Sequence, residues 1–295
     1  MLPSYFFFCS YYAVLALSCG MLVRVGVLSL AHGGLASIGA FSSVACWMAL
    51  SSTHSIGWFG LILGFGAATL AGGALATLLG LVVVRVEGDA VLVVTMLFVD
   101  IVRRLIEMTG RFGGASGISL SPLPMLSPDV RLWLLAGFSI FCALLTSLTI
   151  VIFRKSGLGA ILDTIRHDPQ GAASLGFNVR KIRYWLFVWS GLVAGAAGAL
   201  FALFNRFVSP STFGVNFAIL VFVMALVGRK SSPFGGIFGA CALYMTPELL
   251  RLPSWRIPVG VGGLDSISAS EVWPLAFGLV VVGLARVRSE QEITT

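Results

Sequence analysis

Four ionisable residues stand inside an apolar run at "VLVVTMLFVDIVRRLIE" (91–107). Asp100, Arg103, Arg104 and Glu107 fall at i, i+3, i+4 and i+7, so on a helix they share one face and pair in sequence. A charge at the centre of a bilayer costs about 2.5–3.5 kcal/mol on insertion scales, and pairing is what makes such a cluster tolerable. Asp100 lies about ten residues, roughly 15 Å, inside the run. Two readings stay open: a gate or polar wall of a path, or a structural ladder of ion pairs near the outer surface. A second candidate is His32 in "SLAHGGLASIGA", where Gly33 and Gly34 permit a broken helix. A half-helix N-terminus there would offer free N–H groups to a carboxylate. The competing reading is close packing, with His32 hydrogen-bonded internally.

The segment "GRFGGASG" (110–117) is not a phosphate-binding loop, because no Lys-Ser/Thr pair follows its glycines. The chain therefore carries no ATPase motif of its own, and no enzymatic activity is expected. Ser116 in Gly-x-Ser-Gly invites comparison with intramembrane serine proteases, but a nucleophile needs a positioned base. The histidines are His32, His54 and His167, and the spans drawn below put only His54 in an outer loop. Cys9, Cys19, Cys46, Cys142 and Cys241 lie in apolar stretches without metal-ligand spacing, so neither a metal nor a disulfide is expected.

The stretch "RKSGLGAILDTIRHDPQGAASLGFNVRKIR" (154–183) holds six Lys or Arg and two Asp in an otherwise apolar chain. Asp168 followed by Pro169 reads as an N-cap and first helical residue, and Gly176 suits a left-handed stop. Residues 169–175 then form a short helix. Before it, Ala160, Ile161 and Ile165 give another short helix one apolar face, with Asp163, Arg166 and His167 polar. Two capped amphipathic helices make a docking surface; the alternative is a solvated basic loop that only fixes orientation.

These residues must be positioned by membrane helices. Of 295 residues, 58% are hydrophobic and 11% charged, against about 25% charged in soluble domains. With about 20 apolar residues per crossing, spans are predicted at 5–23, 28–50, 57–84, 90–108, 131–153, 184–205, 211–228, 234–250 and 269–286. The expected fold is an all-α, polytopic bundle of about nine transmembrane helices. With the N-terminus outside and the C-terminus cytoplasmic, 12 of the 19 Lys and Arg fall on the cytoplasmic side, as the positive-inside rule favours. That places residues 154–183 in the cytoplasm. The net charge of +7 reports orientation in a lipid bilayer, and nucleic acid is set aside as a partner. The apolar start, which lacks a basic segment, predicts a retained helix. Gly60, Gly64, Ala68, Gly72, Ala76 and Gly80 form one stripe of small residues, and Gly191, Gly195, Gly198 and Ala199 mark another. Helices in lipid associate along such stripes; lining a solute path is the second role considered for them.

Residues 156–214, "SGLGAILDTIRHDPQGAASLGFNVRKIRYWLFVWSGLVAGAAGALFALFNRFVSPSTFG", resemble the cytoplasmic loop and following helix of branched-chain amino acid ABC transporter permease subunits. Ala172, Ala173 and Gly176 match the family's Ala-Ala-x-x-Gly core, and Arg166 and Asp168 its preceding charged pair. "GVLSLAHGGLASIGAF" (26–41) is similar to its glycine-rich second helix, including His32. "VLVVTMLFVDIVRRL" is similar to its acidic-then-basic helix, with Asp100 and Arg103 in those positions. "TPELLR" (246–251) carries the matching Pro247 and Glu248. One departure stands out: "VGRKSSPFGG" puts Arg229 and Lys230 where the family has a Gly-Gly-x-Gly turn.

The resemblance implies a single permease domain over 1–295 in a bacterial inner membrane, with 154–183 as its ATPase-coupling loop. Arg166, Asp168, Pro169, Ala172, Ala173 and Gly176 would dock the ATPase; His32, Gly33, Gly34, Asp100, Arg103, Ser116 and Glu248 are path or gate candidates. Implied partners are two cytoplasmic ABC ATPases, a second homologous permease and a solute-binding protein, which the loop around Ser116 would meet. ATP and Mg would be bound by the ATPases, with no cofactor on this chain. Substrates in the family include branched-chain amino acids, urea, amides and aromatic acids. The rival from another class is a stand-alone secondary transporter with Asp100 as its ion or proton site.

Overall fold

The computed structural model describes residues 2–51, 58–86, 88–110, 113–120, 127–228, 235–251, 256–257 and 267–268. Ten helices follow in chain order: α1 (Leu2–Arg24), α2 (His32–Ser51), α3 (Trp58–Val83), α4 (Ala90–Met108), α5 (Pro128–Lys155), α6 (Leu158–His167), α7 (Pro169–Ser174), α8 (Val179–Asn205), α9 (Val215–Val227) and α10 (Gly235–Arg251). Strand content among the described residues is two short antiparallel pairs. One joins β1 (Ile118–Ser119) to β2 (Phe207–Val208), and the other joins β3 (Arg256–Ile257) to β4 (Ile267–Ser268).

Eight of the nine predicted spans fall on helices, and 269–286 lies outside the described residues. Among the described residues, six segments are long and apolar enough to span a membrane: α1, α2, α3, α5, α8 and Pro210–Val227. α4 falls short because four charges interrupt it, and α10 because it has only 17 residues. Both pack against spanning helices. α5 and α8 reach further into the loop than predicted, starting or ending at Lys155 and Val179, because helical hydrogen bonding does not stop where apolarity does.

The core is built on α1 and α8. α1 packs against α5, α8, α9 and α10, and α8 against α1, α2 and α3. Near the N-terminal end of α1, Phe7 stacks on Phe204 with ring centroids 3.8 Å apart, and Tyr11 meets Phe201. The two helices are therefore antiparallel, and the start of α1 lies beside the end of α8. Ser10 Oγ donates to Ser139 Oγ of α5 at 2.7 Å. Leu70, Leu78, Leu144 and Ile152 point outward from α3 and α5, as lipid-facing residues should.

The predicted small-residue stripes face one another. A Cβ added to Gly195 would strike Gly72 and the Ala68 carbonyl, one on Gly191 would strike Ala76, and one on Gly198 would strike Ala36 and Ala40 of α2. Absent side chains thus bring three backbones into contact, where dispersion and close approach replace the hydrophobic drive that lipid cannot supply. Among the described residues, Gly72, Gly191, Gly195 and Gly198 are occupied by this seam.

Candidate coupling surface and translocation path

α7 is short and carries its own stops. Asp168 accepts a hydrogen bond from the Gly171 N–H at 2.8 Å, and Pro169 occupies the first turn. At the other end Phe177 N–H donates to the Ala172 carbonyl and Gly176 N–H to that of Ala173, with Gly176 at φ +90°. This is the paired-bond, left-handed termination that favours glycine. Ala172 is fully buried, seating α7, while Ala173, Leu175 and Gly176 are exposed. Asn178 then caps α8, accepting from Lys181 N–H at 3.0 Å.

In α6 the buried face is Leu162 and Ile165, with Ala160 exposed and Ile161 half-buried. The predicted face, Ala160 with Ile161 and Ile165, is corrected by part of a turn: the helix sits on the larger Leu162, which leaves Ala160 outside. Asp163 and His167 are exposed and Arg166 half-buried, as their polarity requires.

The loop gathers at one end of the bundle with two other connections. Arg183 Nε donates to the Val25 carbonyl at 3.0 Å, and its Nη2 lies beside Gly26 in the α1–α2 turn. Residues of the α3–α4 turn share a cavity with Asp168, Pro169 and Gln170. The β1–β2 pair joins the α4–α5 and α8–α9 connections at the opposite end, where the start of α1 also lies. The segregation matches the predicted parity of crossings.

Two helices begin against the interior of the bundle. Residues 27–31 enter as a non-helical, mostly buried segment, and α2 starts only at His32, later than predicted. Leu30 N–H donates to Thr95 Oγ1 at 3.0 Å, and Ala31 N–H to Ser29 Oγ. His32 is buried, with Nε2 3.1 Å from Ser18 Oγ and Nδ1 unpartnered. α9 has 13 residues, about 20 Å at 1.5 Å per residue, and cannot cross a core of about 30 Å alone. A 3₁₀ turn, Pro210–Phe213, leads into it. The Phe213 carbonyl, Ala218 and Val99 surround Gly33, and Phe98 closes on Gly34. Val99 is midway along α4. The internal hydrogen bond expected of His32 forms, while residues 27–31 are non-helical and α2 itself runs unbroken from His32 to Ser51. Thr95, Ser29 and the 3₁₀ turn escaped sequence reasoning; Pro210 and Gly214 were the available signal for the turn.

The ladder on α4 forms as spaced. Asp100 accepts from Arg103 Nη2 and Arg104 Nε, each at 2.9 Å, and Glu107 accepts from Arg103 Nη1 at 3.0 Å. Val91, Thr95, Val99, Val102 and Ile106 form the buried face of α4. The Asp100 and Arg103 side chains keep about one third of their surface, so the ladder lies on the flank of the monomer. Ser211 and Asn216, on the neighbouring α9 entry, are also exposed.

Ser116 ends an exposed 3₁₀ turn, Gly114–Ser116, beside β1. Gly117 lies so close to the Val208 carbonyl that a side chain has no room. Among the described residues no histidine is hydrogen-bonded to Ser116, and His54 lies outside them. Glu248 falls on α10. Arg229 and Lys230 lie outside the described residues; Gly228 and Gly235 on either side are in backbone contact. No cluster of metal-binding residues occurs among the described residues.

Helices long and apolar enough to cross a membrane, with a self-capped loop at one end of the bundle, define a polytopic membrane protein. The chain belongs to the family described as branched-chain amino acid transport system / permease component, whose model matches residues 1–283. It is 31% identical over 269 residues to the high-affinity branched-chain amino acid transport system permease protein LivM of Escherichia coli (strain K12), covering 81% of this chain and 61% of that protein. The L-arabinose ABC transporter permease protein AraH of Azospirillum brasilense is 28% identical over 78% of this chain and 68% of its own. The nucleoside ABC transporter permease protein NupC of Lactococcus lactis subsp. cremoris (strain MG1363) is 25% identical over 88% and 84%. The chain thus spans about three fifths of the length of the LivM relative. No solved structure matches.

Proposed function

We propose that this chain is the membrane-spanning subunit of an ATP-driven importer of the bacterial inner membrane, carrying branched-chain amino acids or a similar small solute. Two cytoplasmic ATPases bind ATP and Mg and dock at residues 154–183. A second, homologous permease completes the path, and a solute-binding protein delivers solute to the opposite end. The observation that carries the reading is α7: a six-residue helix stopped at both ends by its own residues, seated on Ala172 and presenting Ala173, Leu175 and Gly176 outward. A loop that served only for orientation needs charge but not these caps.

The solute path runs between the two permeases along the flank bearing Asp100, Arg103, Ser211 and Asn216. Polar groups and non-helical backbone at membrane depth are tolerated only against protein or water, and these are exposed on the monomer. His32, Gly33 and Gly34 support that flank from behind. The test is affinity purification from native membranes in gentle detergent. Recovery of P-loop ATPases and a second hydrophobic subunit, lost on Gly176→Leu, supports the reading. Recovery of the folded chain alone overturns it and makes the Asp100 cluster of a secondary transporter the next target.

A further inference from the structure

A groove of about 340 Å³ lies where the last turn of α5, one face of α6 and the first turns of α8 meet. That volume is within the range of small-molecule sites. Leu162 is buried and Phe153 and Trp189 half-buried, their rings edge to face at 6.0 Å, whereas Leu158 and Trp185 are exposed and mark the mouth. One membrane-crossing segment ends at Lys155 and another begins at Val179, so the groove sits at the loop-side boundary of the membrane. Its α8 wall, from Asn178 to Trp189, is about 16 Å long, close to half of a hydrocarbon core of about 30 Å. The lining holds one charge, that of exposed Lys181, and no carboxylate; Asp163 of α6 is not part of it. Asn178 Oδ1 already accepts from Lys181 N–H, so what the Asn178 amide has left to offer is its donor hydrogens. Lys155, at the end of α5, and Arg180, beside Lys181, are exposed as well. Leu148 and Ile152 carry the outward apolar surface of α5 up to the same level.

We propose that this groove binds an anionic diacyl phospholipid, with an acyl chain against the leucines and tryptophans and the phosphate at Lys181. Three observations select that occupant. The lining is apolar along the depth of one leaflet, which gives a free phosphate nothing but Lys181 to hold. Its charge is positive and stands at the membrane boundary, where basic pockets between helices recruit anionic head groups and Trp rings settle. The outward face of α5 leads into it, so lipid reaches the mouth without leaving the bilayer. A zwitterionic phosphatidylethanolamine would bring its ammonium to a site lined by a lysine and no acid. The acyl chain fills the space between α6 and α8 and so fastens α6 to the body of the bundle. Because α6 leads through Asp168 directly into α7, the lipid steadies the coupling loop and raises ATP hydrolysis driven by loaded binding protein. This consequence rests on the proposed function, whereas the binding does not.

The test uses the assembled transporter in phosphatidylcholine nanodiscs doped, at equal mole fraction, with phosphatidylglycerol or phosphatidylethanolamine carrying brominated acyl chains, which quench tryptophan on contact. The Trp185 signal is isolated by difference from Trp185→Phe. Phosphatidylglycerol should quench it at lower mole fraction than phosphatidylethanolamine and should slow hydrogen exchange across 158–167. Lys181→Gln should reduce that preference about fivefold, the worth of one basic residue near an anionic surface. Leu158→Trp, which fills the mouth from an exposed position, should abolish both effects; Leu158→Phe is the milder second variant if the first misfolds. Equal quenching by the two lipids overturns the site, since it reports ordinary boundary lipid. A Trp185 signal that neither lipid quenches overturns it too, because protein then covers the groove. If loaded binding protein fails to stimulate ATP hydrolysis in every disc while the preference for phosphatidylglycerol persists, the importer reading fails and the lipid site stands.

Discussion

The α3–α8 seam and the α6–α7 loop solve opposite problems in one chain. At the seam, Gly72, Gly191 and Gly195 remove side chains until backbones touch, so no small displacement is available without loss of contact. α7 closes its own polar backbone groups with Asp168 and Gly176 and leaves much of its surface uncovered. One region is held by what surrounds it and the other by its own residues. A coupling element of the second kind can shift as a unit on a body of the first kind, because moving α7 breaks none of the hydrogen bonds that define it.

Breaking the seam has the largest expected effect. Gly195→Leu drives a branched side chain into Gly72 and Ala68; overpacking typically costs about 1–3 kcal/mol, and more is expected where three backbones meet. Little folded protein should survive in detergent, read as a collapsed thermal unfolding transition. Gly176→Leu sharpens the contrast from the other side. Its Cβ meets open space, so the cost is the left-handed conformation alone, about 1–2 kcal/mol. The protein should stay folded, with ATP hydrolysis detached from uptake. Asp168→Ala removes only the cap, worth about 1 kcal/mol, and should reduce uptake partially while lowering the unfolding temperature by no more than about 4 °C. Arg103→Gln touches neither region: the unfolding temperature should hold while uptake falls, and normal uptake would leave the ladder a purely structural feature. Ser116→Ala is expected to change nothing measurable in uptake.

The same contrast explains what the sequence made legible. Seam and loop were both readable because their signals are local: glycines every four residues, and an Asp-Pro start with a glycine stop. α4 was placed at its observed limits with its ladder, since i+3 and i+4 spacing determines pairing within one helix. The junction of α2, α4 and the α9 entry was not legible as a whole. It depends on Leu30 N–H meeting Thr95, 65 positions away, and on the Phe213 carbonyl lying against Gly33. Periodicity carries no information about which distant segment will satisfy a broken helix. The face of α6 was misread for a related reason: its apolar residues allow two faces, and the neighbour that chooses between them is another part of the chain.

α1 precedes every helix against which it packs. At a synthesis rate of about 5–20 residues per second, the roughly 180 residues from α1 to the end of α8 take about 10–40 s to appear. During that interval α1 has only part of its final surroundings, because α5 arrives before α8. Its serines are prepared for the delay: Ser10 Oγ lies 2.8 Å from the Phe6 carbonyl of its own helix, and Ser18 Oγ 3.0 Å from that of Leu15. Both hydroxyls can be satisfied in hydrocarbon before Ser139 or His32 arrives and then be shared with them. A helix that ends up as enclosed as α8 is thus chemically equipped to live first in lipid, and assembly of the bundle can follow the order of translation.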